Sequence, residues 1–168
     1  MHLNDIKLRL ALPKDENDLL VWRNDPITVS FTPKKNTISP NAHRKWFKTQ
    51  LESNESWIFI ACESNSKIGM VRFDFVDYYL NNYYEVSINL NPEFRGRKLS
   101  SFIINEGIRH LKSEHEVSFP IFAKIHDENI PSIKSFKKAQ FDKYKRKIND
   151  SYIKDPVSEG WNYYIFKK

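Results

Sequence analysis

The segment Tyr84–Ser101, YEVSINLNPEFRGRKLSS, constrains the fold more than any other stretch of this 168-residue chain. Its first part reads as a strand that runs to Leu90 and is halted by Asn91-Pro92. Its end opens a helix over Leu99–Lys112, with apolar residues at 99, 102, 103, 108 and 111. Arg95-Gly96-Arg97-Lys98 joins the two. A strand that turns directly into a helix belongs in a mixed α/β sheet. The turn also puts three cations beside the positive end of a helix whose first backbone N–H groups lack partners, an arrangement that suits phosphate oxygens. The alternative is a solvated basic turn ahead of an ordinary helix start. The chain has only four glycines, and Gly96 stands where a bulkier residue would hold the backbone away from a ligand.

The rest of the chain supplies the partners of this unit. Ile6–Leu10 alternates apolar and charged residues as a half-buried strand does. A short helix follows Pro13, with acids at its start, and is closed by Asp25-Pro26. Ser39-Pro40 caps a second helix running through Leu51, with Trp46, Phe47 and Leu51 on its buried side. Trp57–Cys62 and Lys67–Phe75 read as a hairpin around Glu63–Ser66, and Tyr83–Leu90 as a third strand after them. Phe119–Ile125, Phe141–Ile148 and Trp161–Phe166 read as later strands, with a helix over Asn129–Lys138. The order is β-α-α-β-β-β-α-β-α-β-β, a single mixed α/β domain over residues 1–168.

Composition narrows the function. Forty per cent apolar and 29% charged residues describe a globular protein able to bury a core. One cysteine, Cys62, excludes an internal disulfide framework and a Cys-based zinc site, and no metal is expected. No apolar run approaches a membrane span and the N-terminus lacks a signal-peptide pattern, so a cytoplasmic protein without membrane partners is expected. The net charge of +6 is local: residues 134–147 carry seven of the 27 Lys+Arg and one of the 21 acids, leaving 20 against 20 elsewhere. A patch for one phosphorylated ligand explains this more economically than nucleic acid, for which no module motif is visible.

The order of elements and the turn resemble the GNAT superfamily of acetyl-CoA-dependent N-acetyltransferases. That family carries Arg/Gln-x-x-Gly-x-Gly/Ala between strand and helix, and Arg95, Gly96, Arg97, Lys98, Leu99 and Ser100 occupy the six positions, with Lys98 and Ser100 where small residues are usual. Residues 129–141 resemble a second signature, Asn-x-x-Ser/Ala-x-x-x-Tyr/Phe-x-Lys-x-Gly-Phe, through Asn129, Ser132, Phe136, Lys138 and Phe141, with Gln140 in place of Gly. The resemblance implies a mostly antiparallel twisted sheet, splayed between its fourth and fifth strands, with acetyl-CoA as the only cofactor. It implies cofactor contacts from Ile88, Asn89 and Leu90, from Arg95–Ser101 (Arg95, Gly96, Arg97, Lys98, Leu99, Ser100, Ser101), and from Asn129, Ser132, Phe136 and Lys138. Glu85 matches in strand position the base that takes the amine's proton; otherwise it is a solvent-facing strand residue. Many members use a Tyr where Phe136 stands, so here Ser132, a water or unassisted thiolate departure takes over that step.

In the family the first two helices wall the acceptor site. Trp22-Arg23-Asn24, followed by His43 and Trp46, resembles the enzymes of pseudaminic acid type that acetylate a 4-amino group on a UDP-linked amino-deoxysugar. The same Trp-Arg-Asn pattern occurs in ribosomal-protein N-terminal acetyltransferases. Trp22 or Trp46 could stack on a sugar or base, and Arg23 or Arg44 could hold a diphosphate. Phe47 reads as core, and His43 reads more readily as a surface histidine. The aromatic segment Tyr78–Tyr84 either lines the acceptor pocket or forms a homodimer contact. The expectation is a small-molecule nucleotide-sugar acceptor in surface-glycan synthesis. The alternatives are a protein N-terminal acetyltransferase, a nucleic-acid-binding module and a CoA-binding protein without catalysis.

Overall fold

A computed structural model of the chain describes residues 3–78, 81–114, 119–145 and 159–167. Its elements are β1 (Ile6–Leu10), α1 (Glu16–Asn24), α2 (Pro26–Ser30), α3 (Pro40–Glu52), β2 (Ser56–Glu63), β3 (Ser66–Val76), β4 (Tyr83–Leu90), α4 (Ser100–Glu114), β5 (Ile121–His126), α5 (Ile130–Lys138), β6 (Phe141–Lys143) and β7 (Trp161–Phe166). The Ser39 hydroxyl caps α3 by accepting from the Ala42 N–H at 3.3 Å, with Pro40 in the first turn. Helix α2 is absent from the sequence reading. Asp25-Pro26 does end α1, but Asp25 also caps a new helix, accepting from the N–H groups of Ile27 and Thr28 at 3.1 and 3.2 Å. The strand expected over 141–148 is only Phe141–Lys143, and residues 146–148 lie outside the described residues.

The seven strands form one sheet in the order β1-β2-β3-β4-β5-β7-β6, antiparallel throughout except between β4 and β5. Strand β4 pairs with β3 along its whole length, from Tyr83↔Val76 to Leu90↔Gly69. It pairs with β5 only at Tyr84↔Ile121 and Glu85↔Phe122. Beyond Glu85 the two strands part, as the family resemblance implies.

Helices cover both faces. On one, α4 and α5, with Leu99 just ahead of α4, pack Ile103, Ile104, Leu111 and Phe136 against Phe59, Val71, Phe73, Val86 and Phe141. At Gly107 of α4 a Cβ would come within 2.6 Å of Val71 Cγ1, so glycine permits this close helix–sheet approach. On the other face Leu19 and Trp22 of α1 and Phe47 of α3 close over Ile58 and Ile60. The start of α1 is held by an ion network around the fully buried Asp15. Arg9 of β1 meets its carboxylate at 2.7 and 2.8 Å, Lys67 of β3 at 2.7 Å, and the Leu12 N–H donates at 2.9 Å. Burial pushes that carboxyl upward, yet the Arg9 and Lys67 hydrogen bonds outweigh it and hold it well below the usual range.

Two non-glycine residues adopt the left-handed conformation at the positions where the family signatures carry a small residue or glycine: Lys98 at φ +60° and Gln140 at φ +68°. A side chain there is strained, because Cβ crowds the following carbonyl. Gln140 is exposed and directly follows the end of α5. Gln140→Gly is therefore expected to stabilise the protein by about 0.5–1 kcal/mol, a rise of roughly 2–3 °C in Tm by thermal denaturation.

Candidate active site

The parting of β4 from β5 leaves a length of strand edge without a partner strand among the described residues. The Tyr84 N–H donates to Pro120 O on the β5 side at 2.9 Å, whereas the Asn91 N–H points to β3 and donates to Ile68 O at 2.9 Å. Backbone groups alternate along a strand, so those of Ile88 and Leu90 face the β5 side, past the last β4–β5 pair. The backbone of Asn89 faces β3 instead, and its side chain lies on the face covered by α1 and α3. Leu90 leads to the cationic turn. There Gly96 adopts φ +77° and a Cβ would meet nothing within 4 Å, so the approach to its backbone is open.

The three cations of the turn are not equivalent. Arg95 Nη1 pairs with Asp25 at 2.5 Å and its Nη2 donates to Thr28 Oγ1 at 2.9 Å. Burial raises the Asp25 carboxyl, but the Arg95 hydrogen bond wins and its pKa falls below the ordinary value. Arg97 donates to Glu93 O at 3.0 Å and lies 4.7 Å from the Phe94 ring centre. Lys98 is exposed and makes no ion pair or hydrogen bond among the described residues. Leu99 and Ser101 are buried, Leu99 within the core, and Ser100 is half-buried at the start of α4.

On the α1/α3 face, register pairs Met70↔Asn89, Arg72↔Ser87 and Asp74↔Glu85 set six side chains in a row. One end of the row borders a cavity of about 210 Å³ lined by Leu19, Arg23, Ile38, His43, Trp46, Met70, Arg72 and Asn89. Arg72 is held by Asp74 at 2.8 Å and lies 5.3 Å from the Trp46 ring centre. Arg23 has no carboxylate partner among the described residues; its only hydrogen bond is to Asn36 O at 3.4 Å, and burial lowers its pKa. Sequence reading missed Arg72, although polar residues at alternate positions 72 and 74, between apolar 71, 73 and 75, were the available signal. Glu85 does not border this cavity. It stands four residues, about 13 Å, along the strand from Asn89, at the apex where β4 and β5 part.

Several expected roles change. Trp22 is buried among Leu19, Phe47 and Ile60, so Trp46 alone of the two offers a stacking surface. His43 is 1% exposed, not a surface residue. Its Nε2–H donates to Glu16 O at 3.0 Å, and Nδ1 is buried without a partner among the described residues; burial lowers its pKa, favouring the neutral ring. Asn24 is a clamp, its carboxamide bonding both the N–H and the carbonyl of Ile38 at 2.8 Å. Arg44 pairs with Glu16 at 3.1 Å. In the second signature Asn129 caps α5 by accepting from Ser132 N–H at 3.2 Å, and Phe136 packs edge-on to Phe141 in the core, 5.0 Å between ring centres. Phe136 therefore offers a cofactor no side-chain surface, whereas Ser132 is half-buried and Lys138 exposed. Of the aromatic segment, Tyr83 and Tyr84 are buried in the sheet, while Tyr79 and Leu80 lie outside the described residues.

The family model described as acetyltransferase (GNAT) domain matches residues 5–142, and the chain belongs to that family. It is an N-acetyltransferase that uses acetyl-CoA. No curated protein matches the sequence. Among solved structures, the fold is similar to a spermidine N-acetyltransferase from Vibrio cholerae in complex with CoA and spermine, at 15% identity and TM-score 0.75, covering 96% of this chain and 94% of that one. It is similar to AAC(6')-Ib in complex with ribostamycin and coenzyme A, at 16% identity and TM-score 0.77, covering 97% and 93%. A GNAT-family acetyltransferase from Bacillus anthracis matches at 18% identity and TM-score 0.68, covering 95% and 92%. The residues present fit the cofactor: an unpaired strand edge, an open glycine turn and a helix N-terminus are contiguous. Gly96→Asp is expected to weaken acetyl-CoA binding at least tenfold by calorimetry, since a carboxylate placed there repels a pyrophosphate.

Proposed function

We propose that the chain acetylates the primary amine of a UDP-linked amino-deoxysugar, at its 4-amino group, in a cytoplasmic step of surface-glycan synthesis. The observation that carries this reading is Arg23, a half-buried guanidinium without a counter-ion among the described residues, in a cavity walled by Trp46 and a second arginine. Leaving a partly desolvated cation unpaired is costly, and an anionic ligand supplies the missing partner. The ring of Trp46 gives a sugar or base a flat apolar face. Spermine and aminoglycosides, bound by the structural neighbours, are polycations; two arginines and no carboxylate among the lining residues oppose such acceptors.

Acetyl-CoA, when bound, supplies the acetyl thioester. The strand edge at Ile88 and Leu90 pairs with its pantetheine amides, and the backbone of Gly96–Ser101 with Lys98 holds its pyrophosphate. The Ile88 N–H, on the open edge of β4, would donate to the thioester carbonyl oxygen as negative charge develops there. Glu85, at the apex and on the acceptor face, takes the proton of the attacking amine through water, because an amine protonated at pH 7 cannot attack. With Phe136 buried in the core, Ser132 or a water protonates the departing thiolate, or it leaves unassisted, as a thiol pKa near 8.5 allows.

A CoA-release assay comparing a UDP-linked 4-amino-sugar, spermidine, kanamycin and an N-terminal peptide is expected to favour the sugar. Arg23→Ala should raise its KM by roughly 10–100-fold, the worth of a charged hydrogen bond, while the KM for acetyl-CoA stays within about twofold. Preference for spermidine or the peptide would refute the acceptor. Glu85→Gln is expected to lower kcat and remove the acidic limb of its pH profile; an unchanged profile would exclude Glu85 as the base.

A further inference from the structure

A polar chain runs from the cationic turn to the acceptor cavity. Arg95 does not project from the turn; it reaches across to α2, pairing with Asp25 at 2.5 Å and donating to Thr28 Oγ1 at 2.9 Å. A guanidinium only donates, so the Thr28 hydroxyl must accept on that side, and its single hydrogen is left for the other. There Oγ1 lies 3.2 Å from Asn89 Oδ1. The reversed amide, with Nδ2 towards Thr28, would leave that hydroxyl hydrogen without an acceptor among the described residues. With Oδ1 engaged, the two hydrogens of Asn89 Nδ2 have no partner among the described residues, and Asn89 lines the cavity together with Arg23, Arg72 and Trp46.

We propose that Thr28 is a positioning residue: pinned by Arg95, its hydroxyl turns the Asn89 carboxamide so that Nδ2 donates to an oxygen of the acceptor. The proposal rests on the acetyl-transfer reading of the cavity. It gives Arg95, the first residue of the turn, a role on the acceptor side. It also makes Asn89 a selector for acceptors with an oxygen lone pair near the amine, which spermidine lacks.

Two measurements test it. In 15N-labelled protein the Asn89 side-chain NH2 pair is identified by its loss in Asn89→Asp. Thr28→Val is expected to shift that pair and Thr28→Ser to restore it, with Thr28→Ala as the second variant should valine fit badly. In the CoA-release assay with the UDP-linked 4-amino-sugar, Thr28→Val should raise the sugar KM about fivefold, the worth of one neutral hydrogen bond. Its kcat and its KM for acetyl-CoA should stay within about twofold, and Thr28→Ser should recover the sugar KM. An unmoved carboxamide pair, an unchanged sugar KM, an equal rise in the acetyl-CoA KM, or failure of serine to rescue overturns the proposal. If the sugar releases no CoA at all, the acceptor reading fails on its own, and the carboxamide pair alone decides whether Thr28 positions Asn89.

Discussion

The parting of β4 from β5 after Glu85 is the constraint on which the rest of the site depends. A strand inside a sheet satisfies its backbone on both edges; β4 does so with β3 throughout, but with β5 over two residue pairs only. The unpaired edge at Ile88 and Leu90 needs hydrogen-bonding partners from outside the sheet, and an amide-bearing cofactor arm can supply them. The same strand carries Glu85, Ser87 and Asn89 on its other face, towards α1 and α3. One splayed strand thus presents an open backbone edge on the β5 side and a row of polar side chains towards α1 and α3, with Glu85 at the apex where β4 and β5 part.

The helices α1 and α2 are fastened independently of that cleft. Asp15 ties α1 to β1 and β3 through Arg9 and Lys67, a fully buried carboxylate with its oxygens engaged. Helix α2 has only five residues and little apolar burial of its own. It is held by the Asp25 cap and by Arg95, a contact across 70 residues of sequence. The ion network at α1 and the polar attachment of α2 leave Arg23, Thr28 and Asn89 on supported backbone.

Much of the fold was legible because its signals are local. Strand alternation, the Ser39-Pro40 cap and the strand–turn–helix at 84–101 each depend on residues a few positions apart. The departures from the family signatures at 98 and 140 were visible as well. Their consequence, a left-handed backbone bearing a side chain, keeps the turn's shape at a cost in strain. Helix α2 was missed because Asp25-Pro26 reads equally as a helix stop and a helix start, and only the hydrogen bonds to Ile27 and Thr28 distinguish them. The second signature was read as cofactor contact, while its Asn129 caps a helix and its Phe136 fills core.

By itself the sequence determined the order of elements, the cationic glycine turn and the set of polar residues able to serve the chemistry, since each follows from short-range pattern. Tertiary structure alone decided which of them are available. Trp22 and Trp46 are equal candidates in sequence, but one faces the closed interior of α1 and α3 and the other the cavity. Arg95 and Lys98 share one turn, but Arg95 is paired with Asp25 at the cap of α2 while Lys98 has no ion pair among the described residues. Burial and charge pairing depend on what packs opposite, and at these sites the opposing residue comes from another part of the chain.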